Sequence, residues 1–471
     1  MQIEKQKELL ALLDGSVTLQ NDKIQILDAD KVRANIQRLV EAAVLEETAL
    51  RHTACYLIRR IALAMDVVPS SIHDLYMAHG RGDIPNDYTT PAINLRGLPF
   101  YAASAIFRIA NEIDAGSFIF EIARSEIGYT EQSPAEYTAN ILGAAIAEGY
   151  TGPVFIQGDH FQTSPARYAK NPEKEVQAIK DLTAEAIKAG FYNIDIDSST
   201  LVDLSKESIA EQQKLNYGIA AAISAFIRDI EPEGITVSIG GEIGEVGGHN
   251  STEEELRAYL DGYNAELEKI MPGAAGMSKI SIQTGTSHGG VVLPDGSLAE
   301  VTIDFDILHD LGVVGRESYG IGGTVQHGAS TLPEDAFDKF VTAEALEVHL
   351  ATNFQNIMFD HLPKEMVEEM YAYVDKHYER KPSQTIEQFH YKNRKRAIGA
   401  YKKQIWGLPE AKKQEIAQAW EKQFRNLFAR LSVADTKKYV EKYITLVKTE
   451  PKPEDYFPKD VQAEDVSDLA D

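Results

Sequence analysis

The segment "PVFIQGDHFQ", residues 153–162, decides how the chain is read. Five residues of strand character run into a glycine, then into an acid beside an imidazole, Asp159-His160. The same grammar recurs. Short apolar runs stand at "AINL" (92–95), "SFIFEI" (117–122), "NIDID" (193–197), "ITVSIG" (235–240), "KISIQT" (279–284), "GTVQH" (323–327) and "LEVHLA" (346–351). Amphipathic segments at helical spacing separate most of them: 100–114, 134–148, 172–189, 207–230 and 252–271. The connections after 284 and 302 carry no clear period. Eight strand candidates alternating with helices predict an α/β fold, a (β/α)8 TIM barrel, with a doubly wound open sheet as the rival.

The flanks differ from this middle. Residues 1–90 read as a helical N-terminal extension, 91–363 as the barrel and 364–450 as a helical C-terminal region. Residues 451–471 read as an acidic, disordered tail. The C-terminal region is basic around "HYKNRKRAIGAYKKQ" (390–404).

Composition narrows the function. A net charge of -25 over 471 residues repels nucleic acid and anionic membrane. One cysteine, Cys55, allows no internal disulfide and fits a reducing cytoplasm. The first residues, "MQIEKQKELLALLDG", do not read as a signal peptide, and no run approaches the roughly 18 apolar residues of a membrane span. The expected location is cytoplasmic.

Chemistry in such a barrel sits at the C-terminal ends of the strands. The third run ends in Asp159-His160 and the fourth in Asp197. The fifth enters "GGEIGEVGGHNST" with Glu242. The sixth leads to "TGTSHGG" with His288 and Gly289, and the seventh ends in "HGAS", His327 to Ser330. Imidazole and carboxylate suit a divalent ion such as zinc, and a catalytic site keeps three protein ligands and an open position. His160, His288 and His327 fill the three-ligand role, and Glu242 is a fourth that exchanges with substrate. Glycine beside each imidazole admits close approach. His249 reads equally as a loop residue before a helix capped by Ser251-x-x-Glu254. His349, in the eighth run, reads as core or site. "HGAS" offers backbone N–H groups to an anion before a helix starting near Pro333, or caps it through Ser330 or Thr331.

In order, "GDHF", "EIGEVGG", "GTSHGG" and "HGAS" resemble the motifs of the zinc-dependent class II aldolases, the family of fructose- and tagatose-bisphosphate aldolases. The resemblance spans about 90–360. It implies one Zn2+ on His160, His288 and His327 with Glu242. It implies Asp159 as the acid that serves the C4 hydroxyl during carbon–carbon cleavage through a zinc-stabilised enediolate. It also implies phosphate contacts from Gly328 and Ser330, a substrate contact at Gly289, and an acid near the metal at Asp197.

Departures fall at the substrate end. His249 and Asn250 follow the paired glycines where the family has acids. No lysine follows His288-Gly289. His349, Thr352 and Asn353 stand where the family reads Asn-x-Asp-Thr-Asp. "GDHFQTSPARY" and "LATNFQNIMFDHL" are closer to the non-catalytic large subunit of tagatose-bisphosphate aldolase. The expected activity is therefore cleavage or formation of a ketose (bis)phosphate. The alternatives are an accessory aldolase subunit, or a ketose 4-epimerase acting on an unphosphorylated or monophosphorylated sugar. Expected partners are phosphorylated ketoses or trioses, and a second copy or a related aldolase subunit.

Overall fold

The computed structural model describes residues 3–244, 249–285, 293–294, 303–456 and 469. Each apolar run becomes a strand: β1 (Thr90–Asn94), β2 (Ile119–Ala123), β3 (Gly152–Gln162), β4 (Asn193–Asp197), β5 (Ser238–Glu242), β6 (Lys279–Ile282), β7 (Thr324–Gln326) and β8 (Glu347–Leu350). Neighbours pair in parallel in sequence order, and β8 returns to β1 with Val348 opposite Pro91 and Leu350 opposite Ile93. That closure makes the (β/α)8 barrel and excludes the open sheet.

The crossover helices begin where local chemistry says they should. Pro99–Glu112, Pro134–Ala147 and Pro172–Ala189 each place proline in the first turn. Ser133 and Asn171 cap the latter two by accepting from Glu136 N–H and Lys174 N–H. Lys214–Ile230, Glu253–Ile270, Phe305–Tyr319 and Thr352–His361 continue the ring. Phe305–Tyr319 shows no clear period in the sequence because Gly312 and Gly315 interrupt it. A Cβ at Gly315 would stand 3.2 Å from Ile321.

The first ninety residues are not helical throughout. Val17–Gln20 and Lys23–Ile26 form an antiparallel hairpin. Val67–Ser70 adds a ninth strand beside the first half of β3, from Val67 opposite Gly152 to Ser70 opposite Phe155. Its Pro69 argues against a strand, but an edge tolerates proline. The helix His73–Gly80 then closes the barrel floor, where Ile72, Leu75 and Tyr76 pack with Ala92, Ile119 and Phe155.

The C-terminal region wraps the same body. Glu410–Arg430 lies on Pro99–Glu112, and Trp420 Nε1 donates to Phe354 O at 2.8 Å. The basic stretch serves packing: Arg394 stacks on Phe359 and Tyr391, and Lys402 pairs with buried Glu136 at 2.8 Å. Within the expected tail, Pro453–Tyr456 forms a turn that buries Tyr456 against Tyr56, ring centroids 5.7 Å apart.

Candidate metal centre

The local backbone of β3 explains how an acid and an imidazole adjacent in sequence serve one site. In a regular strand they would face opposite sides. Here the pairing with β4 slips between Gly158 and Phe161, so Asp159 and His160 together oppose Asp195. This is a β-bulge, and it re-aims side chains. His160 takes the left-handed region at φ 39°, a conformation that costs a non-glycine residue on the order of 1 kcal/mol or more. Gly158 makes room: a Cβ there would stand 2.4 Å from the Phe161 ring.

Both side chains thus reach a cavity at the strand ends, lined also by His327, Gly328, Ser330 and His349. His160 Nδ1–H donates to Asp197 Oδ2 at 3.0 Å, with Glu242 Oε2 3.3 Å away. The His160 and His327 rings lie against each other with centroids 4.2 Å apart and planes tilted by 52°, and those of His327 and His349 with centroids 3.9 Å apart and planes tilted by 38°. His327 Nε2 shares a 2.8 Å hydrogen bond with Ser281 Oγ. His349 Nε2–H donates to Glu347 Oε1 at 2.6 Å. Asp159 Oδ2 accepts from Asn94 Nδ2 at 3.0 Å, while Oδ1 faces the imidazoles.

Donor atoms of His160, Glu242 and His327 all lie within 4.8 Å of one another. A tetrahedral zinc with bonds of about 2.1 Å sets its donors about 3.4 Å apart. Small side-chain rotations therefore close the set on an ion, and mixed nitrogen and oxygen donors suit zinc. The residues fit the group.

Electrostatics agree. Burial disfavours the His160 imidazolium, but Asp159 and Glu242 outweigh it and raise its pKa well above the ordinary histidine range. Burial likewise opposes the Asp159 carboxylate, yet His160, His349 and His327 hold it well below the usual value. Burial opposes ionisation of Asp197 too, and the hydrogen bond from His160 lowers it to about 2. Burial, with Asp197 beside it, raises Glu242. The centre is a place where positive charge is welcome.

Below it the barrel interior is ionic, where such barrels usually hold branched apolar side chains. Lys279 Nζ, 1% exposed, donates to Gln157 Oε1 at 2.7 Å, Asp195 Oδ2 at 3.0 Å and Glu347 Oε1 at 2.5 Å. Tyr76 OH donates to the other Glu347 oxygen from the floor. Gln157 Nε2 donates to Glu121 Oε2 at 2.8 Å. Burial pushes Glu121 up to about 8. A side chain at Gly240 would collide with Asp195, 2.2 Å from its Cβ. Glu121, Asp195, Lys279 and Glu347 are not among the candidates that the sequence singles out. A signal for them exists: each is an ionisable residue inside an apolar run.

The structure brings together Asp159, His160, Asp197, Glu242, His327, Gly328, Ser330 and His349. Asp197 holds His160, with Gln162 and Ser199 also donating to it. Ser330 Oγ accepts from Ala351 N–H at 2.6 Å, and Ala329–Thr331 is a short 3-10 turn, so no longer helix offers its N-terminus there. Asn353 sits half-buried on Thr352–His361 and is not among the residues lining the cavity. His288 and Gly289 lie outside the described residues. His249 is a loop residue, half-exposed and 3.2 Å from Glu255. The cap beside it is Thr252 with Glu255, one residue later than expected.

A family model, "Fructose-bisphosphate aldolase class-II", matches residues 85–445. The chain belongs to the class II fructose-bisphosphate aldolase family. Family members are generally zinc-dependent lyases of phosphorylated sugars, which accords with the buried His/Asp/Glu cluster. No curated protein matches the chain. Among solved structures, a probable tagatose 6 phosphate kinase from Sinorhizobium meliloti 1021 is similar at 16% identity and TM-score 0.52, covering 75% of this chain and 99% of that one. A fructose-bisphosphate aldolase from Campylobacter jejuni is similar at 14% identity and TM-score 0.46, covering 79% and 99%. A putative fructose-1,6-biphosphate aldolase from Coccidioides immitis shows 17% identity and TM-score 0.44, covering 77% and 97%. At 16% identity the first likeness is one of fold alone. No helix among the described residues is long and apolar enough to cross a membrane.

Proposed function

We propose that this chain is a class II aldolase-type metalloenzyme that cleaves or forms the C3–C4 bond of a ketose phosphate. The observation that carries the reading is the convergence of His160, Glu242 and His327 beside the buried Asp159 carboxylate. These three, with His288, would hold one Zn2+. The bound ion supplies Lewis-acid stabilisation of negative charge developing on the sugar oxygens.

The chain's own side chains do the rest. Asp159, ionised and fixed by Asn94, takes the proton from the C4 hydroxyl. Asp197 orients His160 through Nδ1. Gly328 and Ser330 line the end of the cavity that receives the phosphate.

The cavity wall favours a changed substrate. After β8 the lining is Ala351 and Thr352, where the family carries acids, and Arg96 beside them donates through Nε to Glu126 at 2.5 Å. Epimerisation at C4 uses the same cleavage and re-addition, and is the second reading.

The test is product analysis with phosphorylated and free hexuloses. Triose products support the aldolase, and a C4 epimer supports the second reading. A metal-loaded chain inert alone but active with a related subunit identifies the accessory role. Asp159→Ala is expected to keep zinc and lose at least about 100-fold in cleavage rate. Undiminished cleavage overturns the role of Asp159.

A further inference from the structure

Three imidazoles share one arrangement around Asp159 Oδ1. His160 has an oxygen of Asp197 on Nδ1 and turns Nε2 towards Oδ1 at 3.8 Å. His327 has Ser281 Oγ on Nε2 and turns Nδ1 towards Oδ1 at 3.9 Å. His349 has Glu347 on Nε2 and turns Nδ1 towards Oδ1 at 3.2 Å. One nitrogen held by an outer oxygen and the other aimed at a common point is how metal-ligating histidines are prepared.

The surroundings of His349 Nδ1 sharpen this. Glu121 Oε1 lies 3.1 Å from it. Nδ1, Glu121 Oε1 and Asp159 Oδ1 are all buried, and among the described residues they meet one another at ion-pair distance without a well-aligned hydrogen bond. Carboxyl oxygens this close to a ring nitrogen need a proton or a cation between them. A proton on Nδ1 is one answer, with both oxygens within ion-pair distance. An ion is the other: donor atoms of His327 and His349 lie within 4.8 Å of one another, with the base Asp159 beside them.

We propose that His349 is a metal ligand, the imidazole that β8 adds to the centre, with Glu347 fixing its tautomer and the network around Lys279 fixing Glu347. The inference rests on the metal-centre reading and extends it to a strand that reading did not use for the ion. The ionic barrel interior then has a physical reason to exist, as the outer support of a ligand.

The decisive measurement is Zn2+ affinity by chelator competition, together with Co2+ absorption, for wild type and His349→Asn. Loss of a partner that only orients a ligand costs about 10–100-fold in affinity. For His349→Asn the expectation is a loss beyond about 100-fold, with an altered Co2+ spectrum. Unchanged affinity and spectrum overturn the inference and leave the metal reading intact. A wild type that binds no zinc overturns both. If the variant does not fold, anomalous scattering at the zinc edge from wild-type crystals decides. An ion about 2.1 Å from Nδ1 supports the assignment, and one beyond bonding distance overturns it.

Discussion

Lys279→Met removes the one lysine that, among the described residues, reaches the ionic interior of the barrel. Lys279 is 1% exposed, and its ammonium meets Gln157, Asp195 and Glu347, themselves buried. Methionine fills similar volume, so packing changes little, but Asp195 and Glu347 lose their ammonium partner. Breaking a buried pair from one side costs about 3–5 kcal/mol. The linkage sign gives a second handle. Burial opposes ionisation of Glu347, but Lys279 and His349 lower it to about 2, from 4.5 in the unfolded chain. That lowering is worth about 3 kcal/mol of stability. It is present above pH 4.5 and is lost as pH falls towards 2. Without Lys279 much of it is missing at neutral pH. Urea unfolding followed by Trp406 and Trp420 fluorescence at about pH 7.5 should show the variant destabilised by about 3–5 kcal/mol. Lys279→Met with Glu347→Gln should recover part of that, a non-additivity of about 1 kcal/mol or more in the double-mutant cycle. A single-variant loss under about 1 kcal/mol, or strict additivity, would refute the claim that the interior is a paired network.

Three further outcomes are expected. Gly158→Ala should destabilise by about 1–3 kcal/mol through collision with Phe161 and lower zinc content by displacing the bulge, as unfolding and metal analysis would show. His79, buried and held by Asn86 and Tyr88, is lowered by burial to about 4. The unfolded chain therefore takes up a proton below pH 6.5 that the folded chain refuses until about 4. The stability of wild type relative to His79→Gln should then fall by about 3 kcal/mol between about pH 7 and 4, and a constant difference would contradict it. Trp420→Phe should cost about 1–3 kcal/mol in unfolding experiments by leaving Phe354 O without its donor.

Strand positions are legible in the sequence because buried parallel strands favour short apolar runs, and even the alternating "NIDID" forms a strand with its own bounds, Asn193–Asp197. The candidate ligands His160, Glu242 and His327, which the fold brings together, can be picked out because such residue types stand at strand ends near glycine. Other features are not. The strand Val67–Ser70 is hidden by Pro69. The helix Phe305–Tyr319 is hidden by its glycines. Glu121, Lys279 and Glu347 look like interruptions of strands rather than parts of one network.

Local pattern, then, is enough for the eight strands, most of their helices and the chemical character of the rim. These depend on periodicity and end-capping, which act within a few residues. The meeting of Lys279 with Gln157, 122 residues away in the chain, needs the barrel to close. So does the approach of His349 to Asp159, because inward-facing residues on separate strands become neighbours only across a completed ring. The joint use of Asp159 and His160 needs a backbone bulge that composition does not announce. It exists because pairing to β4, the Phe161 ring on Gly158 and the hydrogen bond to Asp197 together hold His160 in a conformation it would not adopt alone.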